Sequence, residues 1–206
     1  MNRNCFSISL PFKKSICILL LAGAVYIIAS SFKSNDAKMN SPVTDSLLSK
    51  KAFLSVYDVL MSPRCMNCHP SGDVPLVGEE SKLHTQSVKR GKEGKGLYAV
   101  KCSNCHADKN QPGLNMPPGN PNWHMPPANM KMVFQGKTPR ALAALLLDPT
   151  TNGKKSKADL IKHVSADGLV LAGWDAGEGR KQPPLSHNEF VKQFKLWIDN
   201  GAYLPD

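Results

Sequence analysis

The alternation of apolar and polar residues is clearest near the end of the sequence, over Ser186–Gly201. Apolar side chains recur there every three or four residues, which is the period of an amphipathic helix. Ser186 and Glu189 have the spacing of an N-terminal capping box, and Asn200-Gly201 is typical of a helix end. The predicted buried stripe consists of Phe190, Phe194, Trp197 and Ile198.

Three earlier segments show shorter helical patterns: residues 41–63, 138–149 and 156–164. In the first, Thr44 is the predicted N-cap and Pro63 ends the helix. In the second, Thr138 is the N-cap and a proline follows it in the first turn. The apolar stripe of the first helix is Ala52, Val56, Val59 and Leu60. No segment has a convincing strand pattern, so we predict an all-α domain.

Between these helices lie long stretches rich in glycine and proline. Residues 111–127 contain six prolines in 17 positions, which excludes a helix and favours extended backbone. A stiff loop of this kind can hold a side chain at a fixed height. The glycines of residues 89–96 are interpreted as a flexible bend, because neither a strand before them nor a Gly-Lys-Ser/Thr sequence after them suggests a phosphate-binding loop.

The N-terminus has the pattern of an export segment. Arg3, Lys13 and Lys14 precede the apolar run Ile16–Ala29, and no acidic residue lies in residues 1–32. This layout is typical of a signal peptide, with an uncleaved N-terminal membrane anchor as the alternative. The predicted organisation is a signal peptide or anchor over 1–32, a linker over 33–42 and one domain over 43–206.

The formal charge of the 206-residue sequence is +10. A basic balance can indicate nucleic acid or an acidic partner. Export to the periplasm argues against nucleic acid, so we expect a solvated basic surface that an acidic protein could contact.

The cysteines provide the chemical signal. Of six, Cys5 and Cys17 fall in the export segment, and the other four form two C-x-x-C-H motifs. This motif attaches c-type haem: two thiols bond to the porphyrin and the histidine that follows ligates the iron. The predicted attachment residues are Cys65, Cys68, Cys102 and Cys105, and the predicted proximal iron ligands are His69 and His106.

The cysteines allow two other interpretations. Four cysteines in two pairs can bind zinc, but 33 residues separate Cys68 from Cys102, beyond the common gap. Zinc also gives no reason for a histidine to follow each pair. A thioredoxin-like redox motif would need a βαβ pattern around it, which is missing. Two covalently bound haem c groups therefore remain the prediction.

Each iron needs a second axial ligand or is left open. His84 follows His69 by 15 residues and His124 follows His106 by 18, which favours His84 and His124 as distal ligands. A methionine could replace either histidine and raise the potential. The methionine alternatives are Met116, Met125 and Met132, and His163 is a lesser candidate. Contacts with haem propionates could come from Arg90, Arg180 and Trp123.

The sequences that flank the two motifs are similar to those of a known family. The stretches "SPRCMNCHPSGDVPL", "HTQSVKRGKEGKG", "PPGNPNWHMPP" and "SHNEFVKQFKLWIDNGA" resemble the small dihaem cytochromes of the isoquinoline 1-oxidoreductase subunit-like family. The likeness covers most of the chain after residue 50. It implies a cytochrome c-like, loop-rich helical domain built around two haems, and a molybdenum hydroxylase as electron donor.

The predicted function is a periplasmic carrier that passes single electrons from such a dehydrogenase toward a respiratory acceptor, without a catalytic residue of its own. The alternative is a small dihaem peroxidase, which would need one open haem and nearby acid–base groups. A zinc-structured binding module is the third hypothesis.

Overall fold

The first and last helices of the described residues pack against each other in the core. The computed structural model describes residues 42–206, in which α1 is Pro42–Leu60 and α6 is His187–Asp199. Phe53 of α1 packs against Trp197 of α6 with ring centroids 4.5 Å apart, and Phe194 meets the same indole edge-on at 5.3 Å. All the residues predicted for the two apolar stripes are buried, so both stripes are confirmed.

The remaining elements are short. They are helices α2 (Pro63–Met66), α3 (Pro139–Leu147), α4 (Lys157–Ala166) and α5 (Gly168–Leu171), the 3-10 turns Cys102–Asn104 and Ala172–Trp174, and strands β1 (Leu76–Val77), β2 (Lys82–Leu83), β3 (Gly96–Leu97) and β4 (Val100–Lys101). Within residues 42–206, no helix combines the length and the apolar character needed to cross a bilayer. The predicted export segment and almost all of the predicted linker lie outside the described residues.

The helix starts follow the capping chemistry with two corrections. Thr138 caps α3 with its side chain as expected, and Ser156, which was not predicted as a cap, does the same for α4. The first helix begins at Pro42, two residues before the predicted cap Thr44, because proline suits the first helical position. Ser186 accepts from the backbone N–H of Glu189, but the Glu189 carboxylate bonds to Gln193 instead of returning to the cap. Only half of the predicted capping box forms.

Two antiparallel hairpins were not predicted. β1 pairs with β2, and β3 pairs with β4, in two separate two-stranded sheets. Each strand has two residues, which is too short to show the two-residue period that marks a strand. The hairpins come from the tight turns between them rather than from strand propensity, so the expectation of a chain without strands was wrong in this detail.

Candidate functional site

The two cysteine motifs fold into the same turn. In the first, which continues from α1 through α2, the backbone N–H of Cys68 donates to the carbonyl of Cys65 at 3.2 Å. In the second, Cys105 donates to Cys102 at 3.2 Å. The same three-residue hydrogen bond therefore closes both motifs, although the first begins at the end of α2 and the second lies in a 3-10 turn.

The two histidines that follow are also held alike. The Nδ1 atom of His69 lies 2.7 Å from the carbonyl oxygen of Met132, and that of His106 lies 2.7 Å from the carbonyl oxygen of Pro118. A carbonyl oxygen only accepts, so Nδ1 carries the proton and Nε2 keeps its lone pair. Metal-ligating histidines ordinarily have this second hydrogen bond, which orients the ring and selects the tautomer.

An aromatic ring lies flat against each of these imidazoles. Phe134 stacks on His69 with centroids 3.9 Å apart and planes 3° from parallel. Trp123 stacks on His106 at 4.3 Å and 10°. The backbone reinforces the first contact, because Phe134 donates its N–H to the carbonyl of His69. Each histidine is thus fixed by one hydrogen bond in its plane and one ring across its face.

The environment keeps these histidines neutral. Burial lowers the pKa of His69 to about 4 and also lowers the pKa of His106. A neutral imidazole is the form that binds a metal. Nε2 of both residues is therefore available as a ligand atom at neutral pH.

The four motif cysteines are free thiols, and burial makes three of them poor acids. It raises the pKa of Cys65 to about 12 and that of Cys68 to about 11, and it raises the pKa of Cys102. Thioredoxin-like cysteines need a lowered pKa, because the thiolate is the reacting form. The thioredoxin-like interpretation lacks that feature here.

The two motifs lie within electrostatic range of each other. Burial is the main cause of the raised pKa of Cys68, and Cys102 of the second motif adds to it. The pKa of His106, lowered chiefly by burial, is lowered further by His84, and that of His69 by His163. The fold therefore brings both motifs into one region of the described domain.

The predicted distal histidines occupy different settings. His84 is half-buried, and its Nδ1 is a buried atom without a hydrogen-bond partner among the described residues. His124 has its Nδ1 against the carbonyl of Asn122, which leaves Nε2 free. The lesser candidate His163 pairs through Nδ1 with Asp167 at 3.3 Å, also leaving Nε2 free. The three side chains are all chemically able to ligate a metal.

The methionine alternatives differ in burial. Met125 is buried, and its backbone N–H donates to the carbonyl of Gly94 at 2.9 Å. Met116 is 42 % exposed. Met132 is half-buried, and its own carbonyl accepts the hydrogen bond from Nδ1 of His69. The Met132 backbone therefore lies on the side of the imidazole away from Nε2.

Arg90 joins the loops that carry these residues. Its guanidinium is buried and donates to the carbonyl of Pro126 at 2.6 Å and to that of Gly72 at 3.0 Å. It also forms an ion pair with Asp73 at 3.4 Å. The guanidinium of Arg90 is thus bonded to groups of the chain. Arg180 is bonded to the chain as well, because it donates to the carbonyls of Met116 and Ala176. Neither the burial nor the partners of Arg90 had a signal in the sequence.

The glycine-rich segment is tied down rather than open. Gly94 has φ +78°, and a Cβ there would lie 1.9 Å from the carbonyl oxygen of Met125. The backbone carbonyl of Lys92 accepts from the N–H of Ala128, and that of Lys95 accepts from the N–H of Cys102. The segment is thus bonded both to the proline-rich segment and to the second motif. The segment does bend, but these backbone hydrogen bonds hold the bend in place, so its interpretation as flexible was wrong. Gly94 is needed there because another backbone segment approaches closely.

Unsatisfied polar atoms gather around the first motif. Among the described residues, five buried side-chain atoms have no hydrogen-bond partner, and three of them belong to Arg64, Asn67 and His84. Arg64, next to Cys65, pairs with Glu79 at 2.7 Å, yet its Nε stays unpaired. An unpaired buried group costs about 1–3 kcal/mol. Arg64 Nε donates and Asn67 Oδ1 accepts, so both atoms can take a hydrogen bond to a further polar group bound beside them.

No three His, Cys, Asp or Glu side chains of residues 42–206 gather as a metal-binding group. No family model matches the chain, and neither a curated protein nor a solved structure matches it. The geometry of the two motifs is therefore the basis for assigning a function.

Proposed function

We propose that the protein is an electron carrier with two covalently bound haem c groups. Cys65 and Cys68 attach one group and Cys102 and Cys105 the other, with His69 and His106 as the proximal ligands. The observation that supports this most is the repeated setting of the two histidines: each has Nδ1 on a backbone carbonyl and an aromatic ring across its face.

The chain's own residues present and tune the ligand atoms. When bound, each haem gains and loses one electron at its iron. The carbonyls of Met132 and Pro118 increase the basicity of the imidazoles by accepting hydrogen bonds from their Nδ1–H groups. Phe134 and Trp123 restrict ring rotation and exclude water from one face. Axial residues, their hydrogen bonds and burial are the means by which a protein sets the potential.

The distal ligands in this proposal are histidines, with His84, His124 and His163 as the side chains from which two are drawn. Each has Nε2 outside the hydrogen bonds described above. Met125, which is buried, is the methionine alternative best shielded from water. Spectra of single variants of the three histidines, each changed to alanine, distinguish these ligands.

The cellular role rests on the sequence alone. The leader-like segment and the family resemblance support a periplasmic protein, soluble or anchored through its N-terminus. They also support a molybdenum hydroxylase-type dehydrogenase as the donor and a respiratory acceptor beyond. The catalytic chemistry would then belong to the donor.

A haem count on purified chain, made in cells that mature c-type cytochromes, tests the proposal. Two groups per chain are expected, with one lost in Cys65→Ala/Cys68→Ala and the other in Cys102→Ala/Cys105→Ala. Intact mass on the denatured chain shows whether the groups are covalent. A bare polypeptide mass would refute the proposal, and steady peroxide turnover would favour the dihaem peroxidase instead.

A further inference from the structure

The hairpin β3–β4 carries an exposed aromatic residue in an unfavourable backbone conformation. Leu97 pairs with Val100, so Tyr98 and Ala99 form a two-residue turn. Tyr98 has φ +42° and is 90 % exposed. Glycine, asparagine or aspartate ordinarily occupies such a position, because a bulky side chain is strained there. Nothing in the packing of the described residues requires a tyrosine at this turn.

The backbone of the hairpin is fixed to the second motif. Asn104, inside the C-x-x-C sequence, donates its side-chain amide to the carbonyl of Ala99 at 2.6 Å. Gly96 donates to Arg90, and Cys102 donates to Lys95, at 3.0 and 3.1 Å. The position of the Tyr98 backbone is therefore set relative to the proposed haem-attachment residues.

The surroundings of the turn are apolar at the centre and basic at the edge. Leu97 and Val100, which share one face of the hairpin, are 40 % and 37 % exposed. Four exposed lysines flank them along the chain, and within residues 42–206 none of the four belongs to an ion pair: Lys89, Lys92, Lys95 and Lys101. Glu93 is the single acidic residue between 89 and 101.

We infer that this hairpin is the docking surface for an acidic redox protein, with Tyr98 inserted into an apolar pocket of that partner. Tyrosine is a frequent anchor of protein interfaces, and a rim of one charge selects a partner of the opposite charge. The inference rests on the proposed function, because it places electron entry or exit at the second motif. An anionic membrane would also attract lysines and apolar side chains, but binding to a membrane does not require a single aromatic residue at a strained turn whose backbone is fixed.

Photo-crosslinking in the source cells tests the partner. p-Benzoylphenylalanine replaces Tyr98, and the same residue at Tyr203, 43 % exposed at the other end of the chain, serves as the control. We expect a covalent adduct with one acidic, cofactor-containing redox protein from position 98 only. The adduct should disappear in Lys92→Glu/Lys95→Glu. No adduct, the same adduct from both positions, or adducts with lipid would overturn the inference.

Kinetics with the captured protein test the role of the side chain. Tyr98→Asn should slow electron transfer with that protein roughly tenfold, as loss of an interface anchor does. Its reduction by ascorbate should be unchanged and its unfolding midpoint no lower, since asparagine tolerates the turn. Equal rates for Tyr98→Asn and the unaltered protein would overturn the inference. A haem count on the same samples separates the two claims: fewer than two groups refutes the proposed function instead.

Discussion

Replacing Arg90 by methionine removes the guanidinium that joins the loop after the first motif to the proline-rich segment. Arg90 is 1 % exposed, and its two carbonyl partners belong to Pro126 and Gly72. Methionine has a similar length and no charge, so it fills the space without making these bonds. Two carbonyl oxygens then lose their donors, at about 1–3 kcal/mol each where burial denies them water.

The net loss is smaller than the sum of these bonds, because the variant no longer buries a charge. Burial already lowers the pKa of Arg90, which shows that the native site carries a desolvation cost. Asp73 is not stranded by the change, since it is 57 % exposed and keeps Lys131 at 2.9 Å. We therefore expect Arg90→Met to reduce the free energy of unfolding by about 2–4 kcal/mol.

Urea unfolding followed by circular dichroism measures this loss, and thermal unfolding should show a fall of about 2–4 °C per kcal/mol. Arg90→Lys keeps the charge but has one ammonium for two carbonyls, so an intermediate loss is expected. Asp73→Asn is the matched control and should cost less than about 1 kcal/mol, because Asp73 is itself 57 % exposed and water screens its charge. The reasoning is refuted if Arg90→Met stays within about 1 kcal/mol of the unaltered protein, the same limit set for that control.

Three further changes test other parts of the structure. Gly94→Ala, where a Cβ would lie 1.9 Å from a carbonyl oxygen, should lose at least about 2 kcal/mol more in urea unfolding than Gly78→Ala, which has φ +76° and open space; equal losses would refute the close approach. Ser49→Ala removes a buried hydroxyl that bonds α6 and the C-terminal segment, so it should cost about 1–3 kcal/mol, whereas Ser46→Ala removes a hydroxyl whose hydrogen bond is exposed and should cost far less. Asp159→Asn should lower stability at pH 7, and the loss should shrink as the pH falls below the unfolded pKa: the hydrogen bond from Ser156 lowers the pKa of Asp159, so its contribution is present above the unfolded pKa and is lost as the pH falls through the lowered folded pKa.

Local chemistry made the longer helices and the turn of the cysteine motifs predictable. A helix start needs one capping side chain and a period of apolar residues, and both are visible within a few positions, as at Thr138 and along α6. The C-x-x-C turn is equally local, since the bond between Cys68 and Cys65 spans three residues. The hairpins escaped prediction because two-residue strands have no pattern.

The amino-acid sequence by itself determined where the four longer helices lie, which faces the first and last of them bury, and which thiols and imidazoles stand in the repeated motifs. Only the tertiary structure decided what holds those imidazoles, because the carbonyl that accepts from His69 is 63 residues further along the chain and the one that accepts from His106 is 12 residues further along. It also decided that Arg90 is buried and that Tyr98 projects from a fixed turn. Such contacts depend on how long loops close, and loop closure has no periodicity that a sequence could display.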